Sequence, residues 1–465
     1  MRIKFIATGL VVLLSSTMLI NPANADDSRD IEMLKQQVGL LQKRIVQLES
    51  AQEKSAKTED VASIVSDALK ERSTGSSFFD GVDVRNLVGT SPEYADMMLN
   101  WQNDVSNKPR KLLNARQDGK LNHGVTVSGG FKGSFMAETT DTEDKFAVLS
   151  RFPSQHSGST GTRFVVNNAA IGVTGVASKW ITSYAQLEYS EIEFTRQDEL
   201  QLRKAYVTIG NLNESPFYGY FGRNSVDFGD MDSYNPFTHN TVNHYFQTVS
   251  DAPVAAIGYY DGDWEVVATA INGGRHLRVA DTTDSGHVKN FAVKADRWFD
   301  MGQERNVRVG ASYLHGTIYN ATPHHPGDPA ASAWRDRNAA WGAVVEYTSP
   351  SLDLMAEFVS TVDDWPATDA PVSALVLQGE YKVDLLDRHN AFSVVYGLGT
   401  QGDDGTQWER MEQAVLGYEI KWESNLYFGA EYVYNHGWAP LVDITTVADR
   451  DVENHSIILG TRYTF

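Results

Sequence analysis

Residues from about 121 to the C-terminal end alternate between apolar and polar side chains in short runs, and this period of two constrains the fold more than any other feature. In one run, Leu416, Tyr418 and Ile420 alternate with small or charged residues. Successive side chains of a strand point to opposite faces, so runs of about ten residues are typical of strands between lipid and water. Beyond residue 20, no segment approaches the roughly 20 apolar residues of a spanning helix. The pattern predicts an all-β fold whose strands cross a membrane.

The number of runs and the length of their connections indicate how the strands are joined. We count about 16 runs, which start near residues 123, 163, 181, 201, 216, 252, 264, 290, 306, 337, 351, 371, 389, 410, 425 and 454. Connections after odd-numbered runs are long (140–161, 229–251), and those after even-numbered runs are short (261–263, 423–425). This asymmetry is typical of bacterial outer-membrane barrels. We predict a 16-stranded antiparallel transmembrane β-barrel over residues 121–465, with a short N-terminal α-helical coiled coil before it.

The last run ends on aromatic residues. Tyr463 and Phe465 share one face with Ile457 and Leu459, and a terminal Phe of this kind resembles the signal by which outer-membrane barrels are recognised for insertion. The resemblance implies the barrel-assembly machinery and outer-membrane lipid as partners. A soluble β-sandwich or β-helix is the alternative, and aromatic residues near the strand ends disfavour it because such residues form interfacial girdles in membrane barrels.

The N-terminal residues predict export from the cytoplasm. Arg2 and Lys4 precede an apolar stretch over residues 5–20, and Ala23 and Ala25 form a small-x-small cleavage site, so residues 1–25 are expected to be a signal peptide. A membrane anchor is the alternative reading. The chain has no cysteine, which excludes disulfides and thiolate metal sites. Its formal charge of -20 argues against nucleic-acid binding. The expected location is the outer membrane of a Gram-negative bacterium.

Between the signal and the barrel, the periodicity becomes helical. Apolar residues recur at spacings of three and four from Ile31 to Leu48, which predicts a coiled coil over residues 26–53. A homotrimer is our preferred state, and a single amphipathic helix is the alternative. Residues 54–120 read as a linker with short helices. One of these is predicted over residues 94–105, with Ser91 as its N-cap and Pro92 at the first helical position. We expect this helical region on the periplasmic side, and the sequence leaves open whether it lies at the mouth or inside the lumen.

The connection over residues 229–251 is unusually aromatic for a loop in water. A loop that folds into the lumen would bury these residues, and in 16-stranded porins the loop after the fifth strand folds inward as the constriction. Packing against a neighbouring protomer is the alternative. The residues that we expect to line the substrate path and the constriction are Arg223, Asp227, Asp232, Tyr234, Phe237, His239, His244, Tyr245, Lys204 and Arg308.

Arg223 raises a question of strand register. We favour a lumen-facing Arg223, with Tyr218 and Tyr220 toward lipid, because an arginine facing lipid at mid-depth costs about 2–4 kcal/mol. The opposite register places Arg223 at the membrane rim. We also expect Lys204, Lys294, Arg308, Lys382 and Lys421 to point inward against Glu188, Glu357, Glu380, Glu419 and Glu431. Charges of both signs would create a transverse field across the channel.

Motifs for metal binding and catalysis are weak or missing in the sequence. His324 and His325 adjoin two prolines, and no third ligand follows at a metal-binding spacing. No Gly-rich phosphate loop and no Gly-x-Ser-x-Gly motif is present. We therefore predict no cofactor, no metal and no enzymatic activity.

Residues 221–229 read Phe-Gly-Arg-Asn-Ser-Val-Asp-Phe-Gly, and residues 251–254 and 268–273 follow with Asp-Ala-Pro-Val and Ala-Thr-Ala-Ile-Asn-Gly. These segments resemble the siderophore porins of the legiobactin-uptake type, with Asp227 where that family usually has Pro. The resemblance implies import of a ferric siderophore without an energy-coupling partner. An oligoanion-selective porin has similar Gly-Arg and Phe-Gly segments and is a rival.

The function expected from the sequence is passage of small polar solutes by diffusion. Ferric-siderophore uptake is the specific form of this function that the resemblance implies. The alternatives are an anion-selective, sugar-selective or general porin, and a structural or adhesive surface barrel. Energised siderophore receptors need about 22 strands and a plug, for which this chain is too short.

Overall fold

The computed structural model describes residues 88–100, 107–121, 124–152, 156–192, 200–247, 253–272, 288–320, 337–406, 409–437 and 450–465. The chain divides into two compact units, Met1–Ser77 and Phe78–Phe465, and every described residue belongs to the second. The predicted signal peptide, with Ala23 and Ala25, and the predicted coiled coil lie outside the described residues.

Sixteen long strands and one short strand form a single sheet in the described part of the chain. The short strand is β1 (Val88–Gly89). The long strands are β2 (Val125–Thr140), β3 (Thr160–Val176), β4 (Ile181–Tyr189), β5 (Leu200–Gly210), β6 (Phe217–Arg223), β7 (Val254–Tyr260), β8 (Trp264–Asn272), β9 (Val288–Asp300), β10 (Asn306–Leu314), β11 (Ala340–Thr348), β12 (Leu352–Thr361), β13 (Ser373–Leu385), β14 (Arg388–Thr400), β15 (Arg410–Glu423), β16 (Leu426–Gly437) and β17 (Glu453–Thr464).

The long strands close into a barrel. Each of β2 to β17 pairs antiparallel with the next, and β17 returns to pair with β2 from Asn454↔Thr140 to Thr464↔Gly130. Every predicted run starts within three residues of an observed strand, so the prediction of a 16-stranded antiparallel barrel is confirmed. Strand β1 was not predicted; it pairs in parallel with the first residues of β2.

The two faces of the barrel differ in chemistry. Leu416, Ile457 and Leu459 are exposed on the outer face, whereas Gln413 and Ser456, at positions of opposite parity, are buried inside. An apolar outer face of this extent is unfavourable in water, because its apolar side chains would remain exposed to solvent. Lipid that covers the face removes this cost. The closed barrel and its apolar outer face are those expected of a barrel that spans a membrane.

Connections at one end of the barrel are tight. Residues 349–351, 386–387 and 424–425 each join two strands, whereas residues 224–253 form a long loop at the opposite end. Leu386 and Asp387 have φ values of 55° and 57°. A two-residue hairpin of this type needs positive φ at both positions, because its twist must match that of the strands.

Within the described residues, two helices precede the barrel strands, α1 (Pro92–Leu99) and α2 (Lys108–Gln117). The predicted start at Ser91 and Pro92 is confirmed, but the helix is interrupted after Leu99, and residues 101–105 of the prediction lie outside the described residues. Asn100 is already extended, with φ −65° and ψ 113°, and α1 ends there. Helix α2 was not predicted; the Asn107 side chain caps it by accepting a hydrogen bond from the Arg110 backbone N–H.

In the parts of the long loops that the structure describes, there are three short 3₁₀ helices: η1 (Leu149–Arg151), η2 (His244–Phe246) and η3 (Ile318–Asn320). No helix in the described ranges is long and apolar enough to cross a membrane.

Candidate functional site in the barrel lumen

We call the connection between β6 and β7 (residues 224–253) the inner loop, and its described residues 224–247 lie inside the barrel. Its backbone N–H groups donate to side chains of distant wall strands. Gly229 donates to Ser312 on β10 at 3.0 Å, and Asp230 and Met231 donate to Glu357 on β12 at 2.5 and 3.1 Å. Most of the described residues of this loop are buried. The loop therefore crosses the lumen instead of extending into the surrounding water.

Farther along, Glu431 on β16 holds the tip of the inner loop. Its carboxylate accepts hydrogen bonds from the backbone N–H groups of Phe237 at 2.5 Å and Thr238 at 3.2 Å, and from the Thr238 hydroxyl at 2.8 Å. The Phe237 ring lies against Gly429 and Gly460, where an added Cβ would come within 2.9 and 2.6 Å of it. Side chains at these wall positions would displace the ring.

The start of the inner loop joins a cluster of buried charges. Arg308 donates to both oxygens of Asp230, at 3.1 and 2.8 Å, and also to Asp296 at 3.3 Å and Glu346 at 2.8 Å. Lys294 lies 3.7 Å from Asp230. Burial opposes ionisation of Asp230, but the two cations outweigh it and lower the pKa of Asp230 to about 2. This loop carboxylate is therefore charged at neutral pH.

The pKa of Asp227 is shifted in the opposite direction from that of Asp230. It is buried and accepts a hydrogen bond from the Tyr220 hydroxyl at 2.9 Å. Burial, followed by the negative charge of Glu265, raises the pKa of Asp227 to about 7, against the lowering effect of Lys294. Two aspartates three residues apart thus differ widely in acidity because only Asp230 contacts a guanidinium.

Helices α1 and α2 also lie against the inner wall. The Tyr94 hydroxyl is 2.7 Å from the Thr174 hydroxyl on β3, and Asp96 forms an ion pair with Arg462 on β17. On α2, Arg110 forms a 2.8 Å ion pair with Glu265 on β8. These partners occupy wall positions that are buried within the barrel. The question that the sequence left open is thereby answered for α1 and α2, which lie inside.

Most of the residues that were predicted to line the substrate path lie in this lumen. Tyr234 donates its hydroxyl to Glu346 at 2.9 Å, and the Asp232 carbonyl accepts from Gln378 at 2.8 Å. Buried or half-buried inner-loop positions are occupied by Asp227, Asp232, Tyr234, Phe237, His239 and His244. Lys204 and Arg308 are buried on β5 and β10. Tyr245 lies in η2, and its side chain is outside the described part of the structure.

The favoured register of β6 was wrong. Phe217 and Phe221 are 65% exposed on the outer face, and Tyr218 and Tyr220 point inward. The predicted sides of these four aromatic residues are therefore reversed. Arg223 is the last residue of the strand, is half-buried, and donates to Gln201 at 3.3 Å.

Several lumenal charges were not singled out from the sequence. Arg462 is buried between Asp96 and Glu419, and the outward Tyr463 beside it was a usable signal, because neighbours in a strand face opposite sides. Arg203 is buried next to Lys204, where the pairing of β4 with β5 shifts register at a bulge. Such a shift has no simple sequence signature.

Among the described residues, no cluster of three or more His, Cys, Asp or Glu side chains that could hold a metal ion is present. His324 and His325 lie outside those residues. The lumen is instead lined by ion pairs and hydrogen bonds within the protein.

The fold and the inner loop define a class of structure, the closed 16-stranded antiparallel β-barrel with a loop inside its lumen. Among solved structures, OprB of Pseudomonas putida is similar, with a TM-score of 0.51, 11% identity, and coverage of 78% of this chain and 97% of that one. At this identity the likeness concerns the fold alone.

Two further structures and one sequence relative are also similar to the chain. The outer membrane channel DcaP of Acinetobacter baumannii and the anion-selective porin from Comamonas acidovorans both have TM-scores of 0.49, at 15% and 10% identity; each match covers 73% of this chain, and 97% and 99% of theirs. A UPF0422 protein of Coxiella burnetii is 22% identical over 259 residues, 54% of this chain and 54% of that protein. The chain thus aligns with about half the length of this curated relative. No protein-family model matches the chain.

Proposed function

We propose that the protein is a diffusion channel that passes small polar solutes across the outer membrane. The observation that carries this proposal is the inner loop, which crosses the lumen and is held there by side chains of β10, β12 and β16. A barrel of 16 strands is wide enough to hold an aqueous channel, and a loop across it narrows that channel. The charges around the loop then act on passing solutes.

The test is planar-bilayer conductance of the refolded mature chain. We expect stable single-channel steps that depend on salt concentration. A barrel that inserts but carries no current would contradict the proposal and favour the structural or adhesive role. Conductance without preference among sugars, phosphate and other anions would identify a general porin.

Ferric-siderophore uptake is the second candidate, and it rests on the residues of the resemblance at 221–229. The local backbone geometry explains two of the glycines in this segment. Gly222 has φ +139°, and an added Cβ would lie 2.2 Å from the Ala205 carbonyl oxygen; Gly229 has φ +65°, and an added Cβ would lie 2.9 Å from Glu357. Their backbone geometry accounts for these glycines without a ligand. Block of the current by a ferric siderophore, but not by ferric citrate, would support this candidate.

We further propose that the channel is a homotrimer joined through residues 26–53, and that Tyr463 and Phe465 bind the barrel-assembly machinery. The coiled-coil heptads and the C-terminal aromatic residues support these two roles. Replacing Phe465 with Ala should reduce the folded protein in the outer membrane. Normal amounts of folded F465A would contradict the second role.

A further inference from the structure

The two helices cover one side of the lumen near the tight turns. Helix α1 contacts β3 through Tyr94 and Thr174, β17 through Asp96 and Arg462, and β2 through Leu99, whose side chain lies against Gly130. The covered wall therefore begins at β17 and continues through β2 to β3.

Helix α2 extends this cover. Its contacts reach β4 through Arg116 and Thr182 at 2.7 Å, and β5 through Leu113 against Gly210. Arg110 lies over the rings of Tyr260 on β7 and Trp298 on β9, and its cap residue Asn107 donates to Tyr218 on β6 and to Glu265 on β8. Near the tight turns, α1 and α2 therefore cover the inner wall from β17 through β2 to β9.

The opposite wall borders open space. A cavity of about 240 Å³ lies between residues 233–236 of the inner loop and the wall residues Asp353 and Ser393. A second cavity of about 350 Å³ lies closer to the turns and is bordered by Pro350 and Lys382. Both cavities are bordered by Glu380, Ala391 and Glu419, so they adjoin along β13 to β15.

Charges of both signs alternate along this wall. Glu380 and Lys382 follow each other on the inner face of β13, and Glu419 and Lys421 do so on β15. Lys382 forms a 2.5 Å ion pair with Asp353 and lies 4.0 Å from Glu380. The wall thus offers closely spaced anions and cations to any solute that enters the two cavities.

We propose that permeation is confined to this side of the lumen, along β12 to β15, and that the path favours small zwitterionic solutes. The proposal rests on the channel function proposed above. Fixed charges of both signs attract the two ends of a dipolar solute at once, whereas an ion of either sign is also repelled. The two helices are the obstacle that excludes the other side.

The first test uses the natural absence of cysteine. Ala391→Cys places a thiol in the path, Val394→Cys places one on the outer face of the same strand, and Thr208→Cys places one on the wall of β5 that is covered by α2. A bulky methanethiosulfonate should lower the conductance of A391C by about half or more and leave the other two unchanged.

Each outcome of this test separates the two proposals. Unmodified protein without conductance would overturn the channel function itself. Normal conductance with an insensitive A391C, despite complete labelling under denaturing conditions, would overturn only the confined path. Block of T208C equal to that of A391C would show that α2 leaves its side open.

The second test addresses the solute class. Liposomes containing the protein should take up β-alanine faster than propionate or propylamine, which share its three-carbon skeleton but carry one charge. At pH 8.5, Glu380→Gln should shift the reversal potential in a KCl gradient toward anions, by about threefold in permeability ratio, whereas the exposed Glu304→Gln should not. Faster uptake of propionate or propylamine, or an equal shift in E304Q, would overturn the assignment.

Discussion

At the scale of residues, the lumen is organised by the partners that each buried charge has. Arg308 contacts three carboxylates, and one of them belongs to the inner loop. A buried cation with so many partners stabilises the fold less by its own attraction than by preventing those carboxylates from being left uncompensated. The same reasoning explains why Asp227, which lacks such a contact, has a raised pKa.

Arg308→Met should lower the free energy of unfolding by about 3 kcal/mol or more, because Asp230, Asp296 and Glu346 would lose their bridging cation. Urea unfolding in detergent micelles measures this loss. The control is Arg305→Met in the turn before β10, which should change stability by less than about 0.5 kcal/mol. Equal stability of R308M and wild type would contradict the assigned role.

The pKa of Asp227 gives a pH dependence with a defined sign. The folded pKa of about 7 lies above the ordinary value of about 3.9, so the folded chain holds the extra proton between these values. The stabilising contribution is complete below pH 4 and is lost as pH rises through 7, by at most about 4 kcal/mol. Asp227→Asn should remove this slope in unfolding measurements from pH 4 to 8; an unchanged slope would contradict the assignment.

At the scale of elements, the inner loop is attached at separate points, and its tip depends on one carboxylate. Glu431 accepts three hydrogen bonds from Phe237 and Thr238, while Lys132 donates to the Pro236 carbonyl at 2.8 Å. None of these partners could be assigned from the sequence, because each pair joins strands and loop positions that are far apart in the chain. The aromatic composition of the loop predicted burial but not its partners.

Glu431→Ala should release the tip of the inner loop, because the Phe237 and Thr238 groups would lose their acceptor. We expect larger and noisier single-channel currents with little change in the folding yield. Glu423→Gln, an exposed position on β15, is the control. A current trace of E431A that matches wild type in size and noise would show that other contacts hold the tip.

At the scale of the whole molecule, the barrel strands could be predicted from the sequence, whereas the packing of the helices and the inner loop inside the lumen could not. Strand positions follow from alternation, which lipid and water impose on every wall strand. Helix α2 was missed because Lys108–Gln117 is strongly polar and has only a few scattered apolar positions. The error in β6 concerned its aromatic residues. The predicted orientation was chosen to keep Arg223 away from lipid at mid-depth, but Arg223 is the last residue of the strand.

Deletion of residues 26–53 should convert the proposed trimer into monomers that conduct as single units, because the predicted coiled coil that would join the three subunits is removed. Light scattering of the detergent-solubilised protein, corrected for bound detergent, measures the mass. A trimer that persists after the deletion would place the subunit contacts on the barrel wall.

The seam between β2 and β17 joins residues 130–140 to residues 454–464, the first and last strands of the ring. A nascent chain that lacks residues 454–464 cannot form this pairing, so the ring stays unsealed until β17 is available. Contacts of such sequence separation form slowly, and unpaired strand edges aggregate while they wait. Helix α1 touches both sides of the seam, through Leu99 at Gly130 and Asp96 at Arg462. It is therefore placed to hold the two edges together as the last step of assembly is made.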